Sequence, residues 1–184
     1  MNNLHDFLFF DLEYNPGTGT VREYGYILGE EKENADSPAK LETAVAKAKY
    51  VVGHNALQHD VPILKQYFSI DFPNVKVLDT LRLSSLLFPC EPYHRLRKEY
   101  LHDENEPSNP LKDAELCKEL LEACVEKWKN FPWQLQLLLY CLLFDKPGFA
   151  PFFEIVGGLL KLRLKKSAKR FLIGSMKNIS LNFV

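Results

Sequence analysis

The chain has no C-x-x-C pair, no internal repeat and no low-complexity tract. Its start lacks a charged n-region leading into an apolar h-region, and no apolar run approaches the roughly 20 residues a membrane helix requires, so neither secretion nor membrane insertion is expected. The longest apolar segment, Leu135 to Phe144, is short and carries Gln136. Four cysteines, Cys90, Cys117, Cys124 and Cys141, have no zinc-ligand spacing and read as buried free thiols in a reducing, cytoplasmic compartment. Neither sign of charge dominates, for the formal net charge is −1, but that balance conceals a segregation. Residues 155–184 hold seven Lys/Arg and no acid, which leaves residues 1–154 with 16 cations against 24 acids, a net −8. An acidic body argues against a surface that coats DNA broadly and suits acids gathered around divalent metal.

Apolar residues at 46% supply an ample core, so one domain is expected over 1–154. Residues 155–184 read as a basic extension or the start of a following segment. Residues 7–14 alternate as a strand, Asn15-Pro16-Gly17-Thr18-Gly19 is a turn, and Val21 to Leu28 is a second strand, which together make a hairpin. After a charged, edge-like stretch (30–36), Ser37-Pro38 opens a helix to about Lys49 with Leu41, Val45 and Ala48 on one face. Tyr50-Val51-Val52 is a short apolar strand of the kind buried in parallel sheets. A helix from Asn55 to Phe68, a strand from Val75 to Leu78 and a helix from Leu81 to Phe88, capped by Asp79-Thr80, follow. Further helices are expected over 94–101, over 111–129 with Leu116, Leu120, Ala123 and Lys127 in register, and over 132–144. Phe149, Phe152 and Phe153 are expected to pack back on the body. The alternation implies an α/β sandwich with a mixed sheet.

Three segments carry candidate chemistry. Phe9-Phe10-Asp11-Leu12-Glu13-Tyr14 puts two carboxylates two residues apart, on one face of a strand, with Phe10 and Leu12 on the other. Paired acids repel, and a cation between them relieves the repulsion. Gly53-His54-Asn55 ends a buried strand and leads to Asp60, with Asn55 a candidate helix cap. Asn109-Pro110-Leu111-Lys112-Asp113-Ala114 opens the long helix with Asp113 in its first turn and small Ala114 beside it.

In this order, D-x-E, G-H-N-x(4)-D and a late D-A resemble the DEDD superfamily of 3′–5′ exonucleases over roughly Leu8 to Leu121. Asp79-Thr80-Leu81 extends the match loosely. Within that superfamily the chain is most similar to the exonuclease domains found beside RecQ-type helicases in bacteria. The resemblance implies a ribonuclease H-like three-layer fold, a mixed sheet flanked by helices, with Asp11, Glu13, Asp60 and Asp113 gathered at one end. Those acids would hold two Mg²⁺ or Mn²⁺ ions roughly 4 Å apart. Asp11 would bridge both, Glu13 and Asp113 would complete one site, and Asp60 would support the second. Leu12, Tyr14, His54 and Asn55 would meet the terminal nucleotide, with Leu12 wedged against its base and Tyr14 a stacking platform. The substrate implied is a single-stranded or frayed 3′ end, DNA ahead of RNA, with a helicase module as partner and no membrane.

The match departs at the general base. Five residues before the last acid, where one branch of the superfamily has histidine, stands Ser108. Four before it, where another has tyrosine, stands Asn109. Three explanations stay open: metal alone lowers the water's pKa, another group such as His102, His94 or His59 serves as base, or catalysis is lost and the fold serves nucleic-acid binding or protein interaction.

Overall fold

Strand β1 (Phe7–Asn15) is the centre around which the rest assembles. A computed structural model describes residues 4–35, 37–68, 70, 76–98 and 108–157. The sheet order is β3-β2-β1-β4-β5, with β2 at Thr20–Leu28, β3 at Glu31–Ala35, β4 at Tyr50–Gly53 and β5 at Lys76–Asp79. β1 pairs antiparallel with β2, and β2 with β3, whereas β4 runs parallel to both β1 and β5. The sheet is therefore mixed, as alternating strand and helix segments led us to expect. Asn15 makes the hairpin turn by accepting the Gly17 N–H on its own Oδ1 at 2.9 Å.

Period-two alternation splits the core into two layers. Phe7 and Phe9 of β1, with Ile27, Tyr50, Val52 and Leu78, meet helices α3 (Thr80–Leu87) and α4 (Pro110–Lys129). Leu8, Phe10 and Leu12, with Tyr24, Tyr26 and Val51, meet α1 (Pro38–Lys47) and α2 (Asp60–Phe68) on the other face. Each fully buried Leu or Phe in these layers contributes about 1.5–3 kcal/mol of transfer free energy. α5 (Trp133–Leu143) joins the first layer through Gln136, whose buried side-chain amide donates to the Trp128 carbonyl at 2.6 Å. Phe152 and Phe153, in a helical stretch over 150–157, pack edge-on against Trp128, so the three phenylalanines near this end do fold back. Among the described residues no helix is long and apolar enough to cross a membrane.

Several expectations need correction. The helix expected over 94–101 is absent over its described part, for residues 94–98 are irregular. α2 starts at Asp60, not Asn55, because Asn55 adopts φ 62° and its carbonyl takes the Gln58 and His59 N–H groups into a tight turn. Asn55 is thus a turn residue and caps no helix. The core face of α4 is Ala114, Cys117, Leu121, Cys124 and Trp128, one position round from the stripe read in the sequence. Leu116 and Leu120 are half-buried on a flank, and Ala123 and Lys127 are exposed. Of the thiols, Cys117 and Cys124 are buried as expected, but Cys90 and Cys141 are exposed. Residues 158–184, most of the expected basic extension, lie outside the described residues.

Candidate metal centre

Pairing between β1 and β4 ends at Phe9 and Val52, after which β4 turns away and β1 continues with only β2 beside it. A crevice opens at the carboxyl end of β1, the usual place for a ligand in an open α/β sheet. Asp11 and Glu13 follow Phe7 and Phe9 on the α4 face and so point into this crevice. The Asp11 cross-strand partner is Gly25. A Cβ there would lie 2.0 Å from Leu111 N and 2.1 Å from the Pro110 carbonyl carbon, so the missing side chain lets the start of α4 rest on the strand. Asp113, in the first turn of α4, is thereby delivered onto the acids of β1.

One carboxylate oxygen from each of Asp11, Glu13 and Asp113 lies within 4.8 Å of the other two. Asp113 is 1% exposed and Asp60 also 1%, so neither points to solvent. Asp60 stands outside that trio, yet its charge bears on Asp11 more strongly than that of Asp113 does. Burial first, then Asp60 and Asp113, holds the Asp11 carboxyl well above the usual carboxylate range. Burial also raises Glu13, against the pull of a Ser108 hydrogen bond and the Lys98 charge. Burial raises Asp60 too, and the His59 Nδ1, 3.1 Å from Asp60 Oδ1, works the other way. Hard carboxylate oxygens, crowded and mutually repelling, fit a hard divalent cation such as Mg²⁺ or Mn²⁺.

Two side chains act on the acids in ways that sequence reasoning did not anticipate. The Lys98 ammonium contacts Asp113 and the Ser108 hydroxyl, and the hydroxyl lies 2.8 Å from Asp113 Oδ2. Ser108 is therefore a donor to the acids, and Lys98 is a fixed positive charge at their edge. Nothing in the spacing of Lys98 marked it, because it arrives on an irregular segment. Asp79 is the other. As expected it caps α3, accepting from Leu81 N at 3.0 Å, but it also accepts from Asn55 N at 3.1 Å and Leu57 N at 3.2 Å. One carboxylate thus ties the loop carrying Asp60 to the end of β5.

The expected nucleotide contacts divide. Leu12 is 4% exposed in the opposite core layer, so its side chain cannot wedge against a base in the crevice; alternation that sends Asp11 and Glu13 one way sends Leu12 the other. Tyr14 follows a register shift after Glu13 and is half-buried, packed against that same layer. The His54 Nδ1 is 3.0 Å from Thr80 Oγ1, its ring also bonds the His94 backbone, and burial lowers its pKa. His94 lines a groove between α3 and α4, His59 is on Asp60, and His102 lies outside the described residues. No protein-family model matches the chain, and no curated protein shows significant similarity to it.

Proposed function

We propose that this protein is a metal-dependent 3′–5′ exonuclease of ribonuclease H-like fold, cutting phosphodiester bonds at single-stranded or frayed 3′ ends, DNA in preference to RNA, beside a helicase module. The observation that carries the reading is the meeting of acids from β1 and the start of α4 in one crevice, with the Asp60 charge acting on Asp11 from the start of α2. Asp11, Glu13 and Asp113 would hold one cation and Asp11 with Asp60 a second. When bound, the pair supplies hydroxide at neutral pH and offsets charge on the departing 3′ oxygen.

The chain's own groups do the rest. Lys98 steadies Asp113 and places a positive charge where a phosphate would enter. Asp79 and the left-handed turn at Asn55 hold Asp60 in position. The His59 Nδ1 lies 3.1 Å from Asp60 Oδ1, and that hydrogen bond raises the His59 pKa, so the His59 ring touches the acid set. A 5′-labelled single strand incubated with Mn²⁺ should be degraded stepwise from its 3′ end by wild type and left whole by a folded Asp11→Ala variant. No stepwise products at high enzyme concentration would end the proposal.

One observation favours a second reading. With Lys98 neutralising Asp113, and Ser108 standing where one branch of the superfamily has its base, the fold could serve nucleic-acid binding without chemistry. Calorimetric titration with Mn²⁺ separates the two, since a binding module has no need to take up two ions.

A further inference from the structure

Residues 93–98, Tyr-His-Arg-Leu-Arg-Lys, carry three fixed cations and no acid inside a body of net −8. Tyr93 is 77% exposed, the most exposed large apolar side chain among the described residues. The Arg95 guanidinium lies over its ring, 5.9 Å from the centroid. Arg97 is exposed and loosely paired with Glu91 at 3.6 Å. The segment walls a groove of about 470 Å³, whose floor includes Phe88, Leu116 and Leu120. It is held near one end by the His54 bond to the His94 backbone, and at the other Lys98 joins it to Asp113 of the candidate centre. An aromatic face held out to solvent beside arginines is the combination that binds single strands without regard to sequence. A body of net −8 repels a polyanion on the whole, so a local positive lane eases the approach to the acids.

We infer that residues 93–98 are the track for the single strand upstream of its 3′-terminal nucleotide, with a base stacked on Tyr93 and phosphates paired with Arg95 and Arg97. The inference rests on the nuclease reading for which end of the track faces the scissile bond. From Tyr93 to Lys98 the chain reaches at most about 17 Å. At about 3.4 Å per stacked nucleotide that is no more than about five nucleotides. A 12-mer at the acids therefore covers the whole track.

The test measures anisotropy of fluorescein-labelled dT12 in EDTA, where nothing is cut, on the full chain. Tyr93→Ala should weaken dT12 binding on the order of 10-fold, with Tyr93→Phe keeping wild-type affinity. Arg95→Gln with Arg97→Gln should reduce the slope of log K against log salt by about 1.4, two phosphate contacts at about 0.7 each. Wild-type hydrolysis of the p-nitrophenyl ester of thymidine 5′-monophosphate with Mn²⁺ reads the acids separately. If the ester is cleaved but both variants bind dT12 like wild type, the track is wrong and the nuclease reading stands. If dT12 binding needs Tyr93 but the ester is untouched, the track stands as a single-strand surface and the nuclease reading falls. Loss of a dimer in sedimentation on Tyr93→Ala, with dT12 affinity unchanged, would make the groove a contact between copies and overturn the inference.

Discussion

Gly25→Ala is the sharpest perturbation of the candidate centre, because it adds one methyl group and touches none of the acids. The new Cβ would sit 2.0 Å from Leu111 N, 2.1 Å from the Pro110 carbonyl carbon and 2.4 Å from its oxygen, all of them backbone atoms. No rotamer change relieves such contacts. Restoring even a tight separation of about 3.4 Å requires the start of α4 to retreat by roughly 1.4 Å, with the neighbouring backbone sharing the strain. Asp113, one turn further on, retreats with it from Asp11 and Glu13. Overpacking of this kind costs about 1–3 kcal/mol. For a chain of this size that lowers Tm by about 2–12 °C. A displacement of about 1 Å at a site of this kind costs on the order of 100-fold in function, so Mn²⁺ affinity should fall by a comparable factor. Calorimetry with Mn²⁺ and thermal melts in EDTA measure the two effects independently. Gly17→Ala is the control, since its Cβ would meet only the Asn15 Oδ1 at 3.3 Å in an exposed turn. A Gly25→Ala protein that melts with wild type and binds Mn²⁺ equally well would refute the claim that this glycine seats α4 on the strand.

Three further outcomes are expected. Asp11 holds its proton more tightly folded than unfolded, where its pKa is about 3.9, so its stabilising effect is full below that value and is lost as pH rises through the raised folded one. Melts in EDTA should therefore show wild type losing Tm relative to Asp11→Asn between pH 4 and neutrality, and Mn²⁺ at neutral pH should restore it; a difference independent of pH contradicts this. Lys98→Met removes a cation that competes for Asp113, and partial exposure screens the effect, so calorimetric Mn²⁺ affinity should rise by about 10-fold, whereas unchanged affinity would place the ammonium outside the contest. Asp79→Asn sets an amide against at least one of three backbone N–H donors, and chemical denaturation should show a loss of about 2 kcal/mol together with faster amide exchange at Asn55 and Leu57.

Much of the fold was legible because local signals carried it. Alternation from Phe7 to Leu12 placed Asp11 and Glu13 on one face, and the five-residue turn demanded a hairpin. Ser37-Pro38 marked the start of α1, although the Ser37 side chain makes no cap bond. Misreadings fell where two periods competed or where contacts were remote. Along α4, Leu116, Leu120 and Ala123 form a helical stripe as regular as Cys117, Leu121 and Cys124. Periodicity cannot say which one meets the sheet, and here the first faces the groove beside residues 91–97. Leu12 was misassigned because a motif match carries positions and not directions, while the strand's alternation buries it. The spacing of 94–101 resembled a helix, but its described residues are irregular and tied to distant elements by the contacts of His94 and Lys98.

By itself the chain of residues determined which side chains could serve as oxygen ligands, and which face of the first strand its two acids share, because strand alternation is a property of neighbouring residues. Tertiary structure alone decided that Asp113 meets them, since that depends on Gly25, 88 residues away, leaving room for a helix end. It alone also set Lys98 among the acids and Asp79 behind Asp60. Such long-range contacts are chosen by packing and charge in the assembled fold, and no local pattern encodes them.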